Sequence, residues 1–428
     1  MAPEVTVLLI LGVFFFLWKR RKSRVYVSGS FKHIMEPVSS SMLLSEADPT
    51  KCAQVNIVTF IVFDEKISYN CFRDRFVENV VLTDPDSRFI YHLDSSNLST
   101  PAVWIKATDW KPEDNCIRIQ EPQTFESSKQ LISARLSEPL DIRKPVWELQ
   151  FIETYSDDGS STPVSAVILT MHHSMGDGFT LCHQLMRRAA PADANLTMHD
   201  CYPFNAPVTH RRRFSVRNVV QSISKLLKSL LKLLFLTPDP PSALRNTIAR
   251  TIDERIVSDM AVMSWSVDRL KDLAQKATKT LGNQVHSRLY LNDIVVAACS
   301  LALGDLMKDR RHDVTSAIWI GLNRKSVIER PKHRRFDWGN ENLGACYLQL
   351  PTGEREPLQV LLKSHQRLSE MKSSPEPLVA NRVLALLGSI PLWILWPFRN
   401  VLMDKMSASI SNFPGPVQKI RIPVAPDN

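Results

Sequence analysis

At 428 residues the chain is longer than one hydrophobic core normally supports, so two domains are expected. A composition of 44% apolar residues with 13 glycines excludes a disordered or collagen-like chain. The 53 Lys and Arg against 44 Asp and Glu give a net charge of +9, which favours anionic partners such as phospholipid head groups; nucleic acid is the least favoured, because no aromatics interleave with the basic residues and no zinc-finger or RNA-motif spacing occurs.

The first element is apolar. Val5 to Trp18 reads VTVLLILGVFFFLW and is followed at once by Lys19, Arg20, Arg21, Lys22 and Arg24. A cleavable signal carries its charges ahead of the apolar run. Residues 1–24 therefore read as a membrane anchor with a basic stop, the N-terminus luminal and the rest cytosolic. The run falls short of the roughly 20 residues of an ideal spanning helix. Snorkelling of Lys19 and Arg20 and local thinning would cover the difference. The alternative is a short helix dipping into one leaflet.

Residues 25–210 form the expected first domain. Val55–Phe63 and Val164–Met171 are β-branched and apolar on both faces, as central strands are; Tyr69–Val80 and Phe179–Arg188 read as helices. Residues 211–242 come next. Arg211, Arg212 and Arg213 lead into a segment where Lys225, Lys228 and Lys232 share one helical face and leucines fill the remainder, the pattern of a basic amphipathic helix in an anionic interface. The same leucines would equally suit packing against the protein itself. Thr237–Ser242 (TPDPPS) breaks this segment and marks an interdomain boundary.

Residues 243–428 form the second domain. Val267–Leu281, Leu291–Met307 and Pro357–Met371 read as helices, and Ser316–Leu322 and Ala345–Leu350 as strands. Val383–Phe398 is apolar but holds Gly388, Pro391 and Pro397, so it reads as a buried or interfacial hairpin rather than a spanning helix. No internal repeat or low-complexity tract occurs, and the class is α+β. The seven cysteines (Cys52, Cys71, Cys116, Cys182, Cys201, Cys299 and Cys346) are odd in number, dispersed and form no CxxC. That pattern predicts reduced, mostly buried thiols, and neither a metal site nor a cysteine nucleophile.

The chemistry concentrates in His172-His173-Ser174-Met175-Gly176-Asp177-Gly178, directly after a buried strand and before a helix. A strand end is rigid, and Gly176 and Gly178 let a turn come close to a substrate. A neutral imidazole there can take a hydroxyl proton as the oxygen attacks a thioester carbonyl, then return it to the leaving thiolate. With both substrates held together no acyl-enzyme is needed. The aspartate can fix the turn through an ion pair or backbone hydrogen bonds. The bland alternative is two histidines capping a turn.

Here the sequence resembles the wax ester synthase/diacylglycerol acyltransferase family, within the wider superfamily of coenzyme A-dependent acyltransferases and peptide-synthetase condensation domains. Besides the heptad, Glu36-Pro37-Val38-Ser39-Ser40 with Met42 is similar to the family's N-terminal segment. Pro139-Leu140-Asp141, Arg143 and Pro145-Val146-Trp147-Glu148 resemble the stretch holding its PLW motif, with valine in place of the middle leucine. Asn292-Asp293-Ile294-Val295 resembles its ND motif, Gly339-Asn340 with Gly344 its GNxxG, and Ser411-Asn412-Phe413-Pro414-Gly415-Pro416 its SNxPGP.

The resemblance implies two domains of similar αβ topology with a tunnel between them, entered by acyl-CoA from one side and by the alcohol from the other. It implies His173 as general base, His172 as a residue shaping the pocket, and Asp177 as structural. Asn292 and Asp293 are similar to residues the family needs for activity, and Asn412, Pro414 and Gly415 would be architectural. Acyl-CoA is a substrate and no cofactor is expected; the acceptor would be a fatty alcohol or diacylglycerol. Hydrophobic pockets discriminate weakly per methylene, so neither acceptor nor chain length is readable. The expected site of action is the endoplasmic reticulum membrane with the catalytic domains cytosolic, or a lipid droplet. Because Asn428 follows SNxPGP closely, whereas family members continue for several strands and a helix, an edge of the second domain is expected to be missing.

Two other readings compete. Phe336-Asp337-Trp338-Gly339 echoes the DFGWG of soluble plant-type HxxxD acyltransferases acting on phenolics or other secondary metabolites, in a different order. A non-catalytic membrane or lipid-droplet protein on a decayed acyltransferase scaffold is the other.

Overall fold

The computed structural model describes residues 32–44, 55–82, 87–93, 102–157, 162–178, 180–182, 236–244, 260–285, 287–307, 312–322, 339–340, 342–390 and 405–412, with isolated positions at 185, 224 and 228. The apolar run of residues 1–24, nearly all of the leucine/lysine segment, most of Phe179–Arg188, residues 391–398 and the Pro414-Gly415 pair lie outside them. Among the described residues no helix is long and apolar enough to cross a membrane.

The first half of the chain is organised on a sheet with the order β2-β8-β7-β5, made of β2 (Asn56–Val62), β8 (Val164–His172), β7 (Trp147–Ser156) and β5 (Cys116–Ile119), with β6 (Gln123–Thr124) pairing β7. β8 runs antiparallel to both neighbours, with Asn56 opposite His172 and Trp147 opposite Met171. Its alternation explains its burial. Val167, Leu169 and Met171 face a core with Phe72 and Phe76 of α2 (Tyr69–Phe76) and with Trp147, Leu149 and Phe151. Ala166 and Ile168 face a second core with Ile132 of α3 (Phe125–Ser137), Ile152 and Tyr155. A strand covered on both sides must be apolar on both sides, and β8 is.

β2 corrects an expectation. It has a similar composition, yet it is an edge strand among the described residues, with Ile61 and Val62 37% and 46% exposed. Tyr69–Val80 is also less regular than expected, since the α-helix gives way to a π-helical turn at Val77–Val81. A small antiparallel sheet of β1 (Lys32–Ile34), β4 (Val103–Lys106) and β3 (Tyr91–Leu93) completes this half, with the short α1 (Pro37–Ser41) following β1.

In the second half β10 (Leu343–Leu350), β9 (Val314–Gly321) and β11 (Ala408–Ser411) form a sheet in that order. α5 (Leu291–Leu306) and α6 (Pro357–Ser373) cover it through Val296, Leu368, Ile318 and Leu348, and pack with α4 (Val267–Leu281) through Ala274, Ala277, Ala297 and Val360. The Pro-rich break is tied into this unit: Asp239 accepts hydrogen bonds from the Thr315 N–H at 2.7 Å, the Thr315 hydroxyl at 2.8 Å and the Ser407 hydroxyl at 2.7 Å. The first part of the expected hairpin, Val383–Leu387, completes the helix α7 (Glu376–Leu387), which Gly388 caps; its remainder, 391–398, lies outside the described residues. Gly344 lies where β10 meets α7. A Cβ there would come within 2.8 Å of the Pro377 carbonyl oxygen and of Leu322, so only glycine fits.

The halves touch at α1. Val38 and Met42 pack with Leu343 of β10 and Leu384 of α7, and α1 also lies against the turn that follows β8.

Candidate active site

The turn grows out of β8, which is paired on both edges. At the end of β8 the His172 N–H bonds to the Val146 carbonyl at 2.9 Å and the His173 N–H to the Val55 carbonyl at 2.8 Å, so the chain is held from both flanks where it leaves the sheet. The PVW stretch thus acts through its backbone, while Trp147 sits in an aromatic cluster with Phe76, Phe89 and Trp110. His173–Met175 then make one 3-10 turn, closed by the Gly176 N–H on the His173 carbonyl at 3.2 Å.

The two histidines differ in surroundings. His172 is 1% exposed, and its Nδ1 accepts the Ser174 backbone N–H at 3.1 Å, with the Ser174 hydroxyl at 2.7 Å. A backbone N–H can only donate, so Nδ1 carries no proton and His172 is the Nε2–H tautomer. Its ring braces the turn, and Ser174, itself fully buried, is committed to it. His173 keeps partial exposure, while its Nδ1 is enclosed without a hydrogen-bond partner among the described residues. Burial pushes its pKa down to about 4, helped by the neighbouring His172 and opposed by its own carbonyl and the Asn340 side chain. At neutral pH His173 is therefore an uncharged imidazole able to accept a proton.

Asp177 caps the segment that follows. Its carboxylate accepts the Thr180 N–H at 2.9 Å and the Thr180 hydroxyl at 3.1 Å, as an N-cap aspartate does. Gly176 pairs with Gly339 in an isolated bridge, and a Cβ on Gly176 would lie 3.3 Å from the Gly339 nitrogen and from Leu181. Gly339 adopts φ +135°, a conformation open to glycine. Gly178 is different: a Cβ there would meet nothing within 4 Å, so packing does not require a glycine.

Four residues that hold the turn, directly or through a partner, are absent from the sequence-based site. Arg88 is fully buried, ion-paired with Glu36, and donates to the Met175 carbonyl at 3.1 Å and the Ser174 carbonyl at 3.4 Å. Its guanidinium lies 5.6 Å from the Trp104 ring centroid. Asn340 donates from Nδ2 to the His173 carbonyl at 2.7 Å, and Ser39 Oγ accepts both the backbone and the side-chain N–H of Asn340 at 3.3 Å. The Glu36–Ser40 and GNxxG matches were the available signals for Glu36, Ser39 and Asn340. Nothing in the sequence marks Arg88.

Asn292 and Asp293 sit apart from this turn. Asp293 accepts the Tyr290 N–H at 2.7 Å to cap α5 and pairs with His365 Nδ1 of α6 at 3.2 Å, while His365 Nε2 lies 3.1 Å from the Ser287 hydroxyl. Asn292 is exposed and accepts a hydrogen bond from Asn412 Nδ2, so the ND and SNxPGP motifs do meet. None of these is hydrogen-bonded to His173 among the described residues. A cleft of about 570 Å³, lined among others by Lys228, Thr315, Tyr347, Arg367 and Glu370, contains no residue of the heptad. Among the described residues no three His, Cys, Asp or Glu side chains gather as a metal site, and the cysteines form no disulfide. The Cys116 thiol is pushed up to about 12 by burial, which leaves it inert.

The model of the wax ester synthase/diacylglycerol acyltransferase catalytic domain matches residues 56–285, more than half of the chain, and the WS/DGAT C-terminal domain matches residues 338–426. The chain belongs to the wax ester synthase/diacylglycerol acyltransferase family. It is 28% identical over 165 residues to wax ester synthase/diacylglycerol acyltransferase 4 of Arabidopsis thaliana, covering 37% of this chain and 30% of that one. It is 23% identical over 332 residues to number 3 of the same series and organism, covering 72% and 65%. The chain thus spans less than two thirds of the length of these WS/DGAT relatives. Its fold is that of the wax ester synthase/diacylglycerol acyltransferase from Marinobacter aquaeolei VT8, with a TM-score of 0.52 at 18% identity, covering 89% of this chain and 82% of the other.

Proposed function

We propose that the protein is an acyl-CoA-dependent O-acyltransferase that makes wax esters, triacylglycerol or both. The observation that carries this reading is the neutral His173 imidazole at the end of a strand pinned on both sides. Nε2 takes the proton of the acceptor hydroxyl as its oxygen attacks the thioester carbonyl. The tetrahedral intermediate collapses, the C–S bond breaks, and the proton passes from Nε2 to the departing thiolate to give free coenzyme A. A base held neutral at physiological pH needs no prior deprotonation, and a rigid strand end keeps it in place. His172 and Asp177 fix the turn in this scheme.

The relatives carry both ester types in their names, so a fatty alcohol and diacylglycerol are the acceptors to test. Acyl-CoA is a substrate, and no other cofactor enters the scheme. The inter-domain tunnel, with Asn292, Asn412, Pro414 and Gly415 along its architecture, belongs to this reading. So does attachment through residues 1–24 and the basic leucine/lysine segment to the endoplasmic reticulum membrane or a lipid droplet, with the catalytic halves in the cytosol.

One assay tests these points together. Labelled palmitoyl-CoA is given to washed membranes and to supernatant from cells expressing the full chain, with hexadecanol and diacylglycerol in competition, and the products are separated by chromatography. Labelled ester is expected in the membrane fraction, falling at least about 100-fold for His173→Ala, the usual scale of a general base. Ester formation unchanged in that variant overturns the mechanism, and full activity in the supernatant overturns the anchor.

A further inference from the structure

Asn340 presents two different groups to the active-site turn. Its Nδ2 donates to the His173 carbonyl at 2.7 Å, and a carbonyl cannot donate in return, so the amide can sit only one way round. The opposite end, Oδ1, is then fixed in the interior, where it has no hydrogen-bond partner among the described residues, and Asn340 is 0% exposed. His173 Nδ1 is likewise enclosed and unpartnered. One atom is an obligatory acceptor and the other becomes a donor when it carries the ring proton. Leaving either unmade in a buried setting is unfavourable, because water cannot replace the missing partner. The two residues already touch.

We propose that Asn340 is the positioning residue for His173: Oδ1 accepts the Nδ1 proton and so leaves the Nε2 lone pair facing the substrate. The inference rests on the acyl-transfer reading above and adds to it that the second half of the chain sets the working tautomer of a base carried by the first. The Asn340 side chain and the His173 carbonyl both favour the protonated ring, the sign expected of acceptors beside an N–H. Among the described residues, the charged or titratable groups around the turn are His172, Asp177, and Arg88 with its partner Glu36. His172 is the opposite tautomer, so adjacent histidines should carry their protons on opposite nitrogens.

Two measurements on the full-length chain test this. In histidine-labelled protein, nitrogen NMR with signals assigned by their loss in His173→Ala and His172→Ala should show Nδ1–H for His173 and Nε2–H for His172. A proton on Nε2 of His173 would overturn the proposal without any Asn340 variant having to fold. In kinetics, Asn340→Ala should lower kcat about 10- to 100-fold with KM within about threefold, a part of the roughly 100- to 10,000-fold that a general base contributes. Asn340→Asp, a stronger acceptor, should move the acid limb of the kcat/KM profile upward by about one pH unit or more. Wild-type kcat in Asn340→Ala with an unmoved acid limb in Asn340→Asp overturns it as well. Should His173→Ala itself retain activity, the base reading fails and not merely this refinement.

Discussion

The two motif clusters of this chain are built on opposite principles. Around His173 the polar contacts run to main chain: Val55, Val146, Arg88 and Asn340 each bond a backbone group of residues 172–175, and most of the participants are buried. Around Asn292 the contact is one exposed side-chain amide against another, Asn412, above a buried Asp293–His365 pair that belongs to helix packing. Main-chain contacts from four separate segments over-determine a geometry, whereas an exposed amide pair competes with water for every bond it makes. The first arrangement suits a group that must not move, and the second suits a rim.

The largest expected effect follows from Arg88. Replacing it with alanine leaves the half-buried Glu36 carboxylate without its partner and removes the fully buried donor to the Ser174 and Met175 carbonyls. Breaking a buried charge pair from one side costs about 3–5 kcal/mol. Arg88→Ala should lose that much in urea unfolding and lose ester formation with it. Arg88→Lys should recover little, since one ammonium cannot serve a carboxylate and two carbonyls with the geometry of a guanidinium. A cost below about 1 kcal/mol would show that the turn is held by the strand end alone.

How much of this was legible beforehand follows from which interactions are local. β8, α4, α5, β9, β10 and α6 lie within a few residues of where periodicity and composition put them, because their own side chains decide them. The edge position of β2 was not legible: VNIVTFIVF and VSAVILTM are alike in composition, and only strand order separates them. β7 (WELQFIETYS) enters the sequence reading only as part of a motif, since Glu148, Gln150 and Glu153 interrupt its apolar character. α3 is rich in serine and buries little beyond Ser128 and Ile132, so its pattern is faint. Asn340 and Arg88 reach the turn across 167 and 87 residues of sequence, respectively, a separation no window of local pattern can span. The heptad's place at a strand end follows from local pattern, but the residues that hold its turn belong to the tertiary fold.

His173 provides a smaller effect with a definite sign. Its folded pKa is about 4, against 6.5 for the unperturbed ring. Between those values the unfolded chain takes up a proton that the folded chain refuses. The stability tied to the neutral ring is therefore complete above about pH 6.5 and drains away as the pH falls toward 4. Wild type should lose about 2 kcal/mol more than His173→Asn between pH 7 and pH 5, from about 1.4 kcal/mol per pKa unit. Unfolding curves that stay parallel would place the ring in water and remove the cause of its depressed pKa. Activity should persist on the acid side well below pH 6.5 for the same reason.

The smallest effect is expected at the rim, where the comparison is sharpest. Asn412→Ala removes a single exposed hydrogen bond to Asn292, worth at most about 1 kcal/mol, so the melting temperature should fall by no more than about 2–4 °C. Because folding is nearly indifferent to this pair, the variant separates two roles that buried residues confound. A fall in ester formation at unchanged stability would assign the Asn292–Asn412 pair to the substrate path. A loss of several kcal/mol would instead make the rim as structural as the turn, and the contrast between the two clusters would dissolve.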